Sequence, residues 1–279
     1  GGGVNWASGF LPTSFQGVPL RGNGDPILNL ASPKGIDGVR QRESIDAVRA
    51  LNLKRAMETG DPEIQTRIAS YEMAYRMQTS APELIDIKSE SKATLDLYGA
   101  APGKASFANN CLLARRLVER GVRFVQVYYG NGQPWDTHND HHASVRKLAK
   151  EIDQPIASLL ADLKQRGMLD STMVQWAAEF GRTPLGENRG GRNANTGRDH
   201  HPFCFSMVMA GGGLKGGQIY GKTDEIGWSI EENPVHPNDL HATMLHLMGM
   251  DHEKLTYRYN GRDFRLTDVA GEVIRDVIG

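Results

Sequence analysis

Apolar residues return every three or four positions along several stretches of the chain. Elsewhere they alternate, or form short unbroken runs. Ile45, Val48, Leu51 and Leu53 predict a helix over Asp37–Thr59. Asp61 followed by Pro62 reads as the start of a second helix, since Asp accepts from first-turn N–H groups and proline suits the first helical position. Ile64, Ile68, Tyr71, Ala74, Tyr75 and Met77 line its apolar side, and Ser80-Ala81-Pro82 ends it. Ser89–Tyr98 is a short helix and Gly99–Gly103 a turn. In Ser106–Gly121, Phe107, Leu112, Leu113, Leu117 and Val118 face inward, while Arg115, Arg116, Glu119 and Arg120 form the solvated face. Gly121 closes that helix.

Beyond it the period changes. Val122–Tyr129 alternates through Val125 and Val127 and predicts a strand that runs into the polar stretch Gly130–His142. Val145, Leu148, Ile152, Ile156, Leu159, Leu160 and Leu163 predict a helix over Ala143–Gly167. Two further strands, Thr172–Ala177 and Phe203–Ala210, flank a long polar loop with Arg182, Arg189, Arg192 and Arg198. A glycine turn (Gly211–Gly217), a hairpin or polar excursion (Ile219–Ile230), a helix (Asn238–Met248), a hairpin (Leu255–Arg265) and a last helix (Asp268–Ile278) complete the chain. Gly1–Gly38 reads as irregular surface chain anchored by Trp6, Phe10 and Phe15. Alternating strands and helices over Ser106–Met248 predict an α/β fold, a mainly parallel sheet flanked by helices. Residues 1–105 would supply helices that pack on an α/β core of residues 106–279, as one domain overall. In such sheets ligands bind beyond the carboxyl ends of the strands, so the polar loops should converge on one face.

Composition narrows the function. Of 279 residues, 39% are hydrophobic, enough for a sizeable core, and the net charge of −1 provides no nucleic-acid footprint. No apolar run approaches the roughly 20 residues that span a bilayer. Cys111 and Cys204 match no zinc spacing and read as buried free thiols. The chain opens Gly-Gly-Gly-Val-Asn-Trp, without Met or a signal-peptide pattern, as a fragment or processed product would. All nine histidines lie between His138 and His252, which points to chemistry in the C-terminal half.

Asp136, Thr137, His138, Asp140, His141 and His142 form a dense cluster, and Asp and His both ligate zinc or harder cations. The plainer reading has Asp136 or Thr137 capping the next helix with the histidines exposed; it suits His141 and His142 better than Asp136 and His138. Glu179, at a strand's end, is a base or ligand, or else the ion-pair partner of Arg182. Asp199 and His200 are adjacent, so their side chains diverge and at least one should face the site. Arg182 and Arg198 flank these groups and can fork onto two oxygens of a phosphate or sulfate, while Arg189 and Arg192 suit a solvated loop. The expected site is therefore Asp136, His138, Asp199 and His200 around a divalent metal ion, with Glu179, Arg182 and Arg198 in catalysis. Zinc, calcium and magnesium are not distinguished, and the substrate class is an anionic ester.

Other signals are weaker. Gly211-x-Gly213-x-x-Gly216 lacks the following helix a dinucleotide site needs, Ser89-x-x-Lys92 has no companion motif, and no Gly-x-Ser-x-Gly elbow occurs. His241, His246 and His252 suit packing or capping, and His236 is open. Thr183 and Thr196 lack the rigid elbow of an activated hydroxyl, and Thr137, between two expected ligands, should point its side chain away from theirs, so an attacking side chain is expected outside this chain.

Trp135-Asp-Thr-His138, Glu179-Phe-Gly-Arg-Thr-Pro184, Gly197-Arg-Asp-His200 and Asp239-Leu-His-Ala-Thr243 occur in this order. With Ala114–Phe124 and Gly261–Thr267, they resemble a bacterial sulfatase-like family of unknown function, itself similar to the alkaline phosphatase superfamily. The resemblance implies a metal-dependent hydrolase of phosphate or sulfate esters, sulfated or phosphorylated carbohydrate included, in an exported or periplasmic protein. It implies two metals at strand ends, with Asp136 and His138 on the first and His200 on a later position. Phe180 stands where the superfamily has a paired histidine, which favours a rival reading, a binding or scaffold protein that keeps the fold without two-metal chemistry. The superfamily's early strands have no counterpart before Val122, so the chain resembles the C-terminal part of a longer protein.

Overall fold

The computed structural model describes residues 6–9, 11–12, 15–21, 27, 34–61, 63–130, 132–189 and 196–279. The expectations for Phe10, Pro62 and Arg192 fall outside them. The chain forms two compact units, Gly1–Tyr128 and Tyr129–Gly279. The helix over Phe107–Glu119, expected with the C-terminal core, belongs to the first.

In the first unit, α1 (Gly38–Thr59) starts at Asp37, whose carboxylate accepts from the Arg40 N–H, and stops at Gly60 with φ +65°. It packs on α2 (Glu63–Ile85). Arg42 pairs with Glu72 at 3.0 Å and lies over the Tyr75 ring. No α1 residue is buried, so this helix leans on its partner without a core of its own. α2 does not end at Pro82 as expected but continues to Ile85. The reason lies in α4 (Phe107–Glu119), where Arg116 donates to the last-turn carbonyls of Glu83 and Leu84, each at 2.7 Å. Between them runs α3 (Lys92–Tyr98), capped by Ser91. The core here is Tyr98, Ala108, Cys111, Leu112 and Ala114.

Arg115 and Arg116 were expected on a solvated face, yet they are 1% and 7% exposed. Glu90 explains it: its carboxylate pairs with Arg115 at 2.8 Å and also with Arg116, and Arg115 reaches Glu119 at 2.6 Å. Burial raises the Glu90 carboxyl, but the two guanidinium groups outweigh it and hold the carboxyl below its usual range.

The parallel sheet is not formed. Val122–Tyr129 forms no strand and joins no ladder among the described residues, although from Val125 its burial alternates, with Gln126 and Tyr128 exposed. The ladders in the second unit are two-stranded and antiparallel. β1 (Val174–Trp176) pairs with β4 (Val208–Ala210), and β2 (Gly181–Glu187) with β3 (Gly197–His201). A parallel pair needs a crossover that carries the chain back to the same end of the sheet, usually a helix; among the described residues no helix lies between β1 and β4, and the stretch between them pairs with itself, Gly181 opposite His201 and Glu187 opposite Gly197. What reads in sequence as one long loop is thus largely a hairpin.

α5 (His141–Gln165) buries Leu148, Ile152 and Leu163. β5 (Lys222–Thr223) and β6 (Ile230–Glu232) form the hairpin expected near Ile219–Ile230. α6 (Pro237–Leu247) is capped by His236, whose ring accepts from the Asn238 N–H at 3.1 Å while Asp239 accepts from the His236 N–H. β7 (Thr256–Tyr259) and β8 (Arg262–Arg265) form the second expected hairpin. The expected last helix reduces to a single 3-10 turn, Arg275–Val277, because the segment is strapped to α6: Glu272 N–H donates to Asp239 and Ile274 N–H to Thr243. His252 is buried against Thr267 at 2.9 Å, and both cysteines are buried and free.

Candidate metal centre

The centre is built where β3 crosses the segment before α5. Gly197 permits the crossing, since a Cβ there would lie 1.9 Å from the His138 carbonyl, closer than any side chain allows. The approach is fixed by backbone bonds. Arg198 N–H donates to Thr137 O at 3.1 Å, and His141 N–H to Thr196 O at 3.1 Å. Residues from a loop and from both strands of one hairpin are thereby brought together.

Asp136 Oδ1 is the hub. His138 Nε2 and His200 Nε2 each lie 2.9 Å from it, and Arg182 Nη2 donates to it at 2.7 Å. The His138 and His200 ring centroids are 4.9 Å apart, and the Phe180 ring lies 4.4 Å from that of His200. His138 Nδ1 meets Glu187 Oε2 at 2.6 Å and lies 4.0 Å from Asp199 Oδ1. Asp136, His138 and His200 form one set with ligand atoms within 4.8 Å of one another, and His138, Glu187 and Asp199 form another. Asp199 also accepts from the His200 N–H at 2.8 Å.

The electrostatics follow. The Asp136 carboxyl is pulled down to about 2, first by the bond from His200 and then by that from Arg182. The Glu187 carboxyl is held low by His138 and, more weakly, by Arg189. The Asp199 carboxyl is lowered chiefly by the His200 backbone N–H. All three carboxylates are therefore ionised and available as ligands at neutral pH.

Of the residues expected in the site, Asp136, His138 and His200 come together and Asp199 joins the neighbouring set. Glu179 is exposed on the turn before β2 and is in neither set. Arg182 donates to Asp136, Trp135 O and Arg198 O, so it holds the loop to the hairpin. Arg198 donates to the carbonyls of Thr183 and Pro184 along β2. His141 faces Thr137 Oγ1 at 2.6 Å, and burial, then Arg198, lowers its pKa. Glu187 was not anticipated. Treating the arginine segment as a hairpin turn sets Glu187 opposite Gly197, beside Asp199, and that pairing was the missed signal.

Two imidazole nitrogens and one carboxylate oxygen form a donor set suited to zinc or a comparable transition metal, more than to calcium or magnesium, which prefer oxygen. Tetrahedral bonds of 2.0–2.1 Å would set neighbouring ligand atoms about 3.3 Å apart. The observed 2.9 Å separations need a spread of only a few tenths of an ångström. Glu187 then fits as acceptor of the His138 Nδ1–H, leaving Nε2 to the cation, the arrangement that fixes tautomer and ring direction at metal histidines.

Residues 1–278 match a family described as a protein of unknown function, DUF1501. No curated protein matches the chain. No solved structure matches it either. The likeness to sulfatases and alkaline phosphatases does not stand: no such family matches, and the strand pairs are antiparallel, not a parallel sheet.

Proposed function

The chain belongs to the DUF1501 family of unknown function, and from that premise we propose that it is a metal-dependent hydrolase of phosphate or sulfate esters. The observation that carries the reading is the convergence of His138 Nε2 and His200 Nε2 on Asp136 Oδ1, with Glu187 orienting His138. A divalent cation held there would polarise an ester oxygen and acidify a coordinated water. The residues supply the rest. Asp136, His138 and His200 hold the cation, and Arg182 fixes Asp136. Phe180 packs against the His200 ring.

Charge supports an anionic substrate. Three carboxylates, Asp136, Glu187 and Asp199, are matched by three bordering guanidinium groups, Arg182, Arg189 and Arg198. The cluster is therefore balanced in charge, and a divalent cation makes it net positive by two. The Thr137 hydroxyl is buried, 6% exposed, and Thr183 Oγ1 donates to Leu185 O and accepts from Asp199 N–H along the hairpin. Water is accordingly the nucleophile in this reading.

The test is hydrolysis of aryl phosphate and aryl sulfate by zinc-loaded protein. The expected result is turnover abolished by a chelator, restored by the metal and absent in Asp136→Ala. A second reading, binding or scaffolding without catalysis, is favoured by one observation: Arg182 and two imidazoles already satisfy Asp136 without a cation. Metal uptake without turnover of either ester would select it.

A further inference from the structure

Three arginines border the centre, and they differ. The Arg182 side chain is 18% exposed, with its donors on Asp136 and two backbone carbonyls. Arg198 is tied along β2 through the carbonyls of Thr183 and Pro184. Arg189, just beyond the end of β2, is 53% exposed, and its partners among the described residues are carboxylates: Glu187 through Nε, and Asp199 through Nη2 at 3.4 Å. Those two carboxylates, with His138, form the second ligand set. A cation held by Asp136, His138 and His200 shares His138 with that set, and its charge repels the Arg189 guanidinium.

Resting on the cation site proposed above, we propose that Arg189 is the receptor for the anionic end of the substrate. Its fork binds a tetrahedral oxyanion, phosphoryl or sulfuryl, once the cation has weakened its hold on Glu187 and Asp199. Anion binding is thereby made conditional on metal. The guanidinium group suits the task because it presents two parallel N–H donors to two oxygens, which an ammonium does not. Arg182 and Arg198 cannot take the role without releasing the contacts that join loop and hairpin.

The experiment titrates inorganic phosphate and, separately, inorganic sulfate into zinc-loaded protein, with zinc affinity measured in parallel. The native protein is expected to bind one of the anions when zinc-loaded and neither when metal-free; the anion preferred identifies the ester class. Arg189→Met is expected to weaken the anion by about tenfold or more, the range of a charge-assisted fork. It should bind zinc as tightly as native or tighter, because a positive charge beside the cation is gone. Arg189→Lys should fall between. A side chain that only braces the hairpin would weaken both ligands together. Unchanged anion affinity in both variants, or no anion binding by the zinc-loaded native protein, overturns the inference while leaving the cation site standing. A native protein that takes up no zinc overturns the cation site and this inference with it.

Discussion

Two charged clusters occupy the two units, and they solve the same problem differently. Around Glu90 the carboxylate is answered by Arg115 and Arg116, nearly sealed from water. Around Asp136 the carboxylates are answered by two histidines and Arg182, within reach of solvent. Arginine stays charged at any ordinary pH and has no lone pair for a metal. An Arg–Glu cluster is therefore permanent, and its role is to join helices. Imidazole can give up its proton and offer nitrogen, so the second cluster can exchange protons for a cation. Residue type and water access, more than charge count, separate a structural from a chemical cluster.

That contrast can be broken most forcefully at Glu90. Glu90→Ala leaves two buried guanidinium groups without their shared partner, and the expected loss is about 3–5 kcal/mol in urea or thermal unfolding. Zinc binding at the other cluster should be unaffected as long as the second unit is folded. A loss under about 1 kcal/mol would mean that the cluster is hydrated and the contrast false.

Gly197→Ala attacks the second cluster through its backbone. The new methyl group would collide with the His138 carbonyl, so β3 must draw back. The expected cost is about 1–3 kcal/mol, with zinc affinity lost alongside. Native affinity in this variant would show that the crossing does not build the site.

Glu187→Gln keeps shape but removes the charge that receives the His138 Nδ1–H. Zinc affinity should weaken by about 10–100-fold, as for other outer partners of metal histidines, with little change in stability. No change would reduce Glu187 to a bystander.

The smallest effect is a pH dependence. The Asp136 carboxyl is lowered from its ordinary 3.8 to about 2 in the folded chain. A depressed carboxyl contributes stability that is present above the unfolded value and is lost as pH falls through the folded one. Metal-free protein should therefore lose part of its stability between about pH 4 and pH 2, and Asp136→Asn should flatten that part of the curve. Parallel curves for the two proteins would contradict the assigned hydrogen bonds.

Much of the helical structure was legible. The apolar periodicity over Asp37–Thr59, the spacing of Ile152 and Leu163, and the short helix expected at Asn238–Met248 are local signals, and local signals survive tertiary context. What was not legible depends on distant partners. Arg115 and Arg116 sit on the polar side of α4 in sequence, and it is distant partners, Glu90 for both and the end of α2 for Arg116, that take them out of water. The parallel sheet failed for the same reason: alternation in Val122–Tyr129 states which residues face inward, but not whether a strand lies alongside. In the candidate centre, Asp136, His138 and His200 were readable from their chemistry. Glu187 was not, because its place follows from the β2–β3 register and not from its neighbours in sequence.

The central claim is that Asp136, His138 and His200 hold one divalent cation. The most direct measurement is calorimetric titration of zinc into metal-stripped native protein, repeated with the double variant His138→Ala, His200→Ala. The account predicts one equivalent bound by the native chain and affinity weaker by more than about 100-fold in the variant, beyond the range of outer-partner effects. A native protein that binds no zinc, or a double variant that binds it as well as native, would contradict the account.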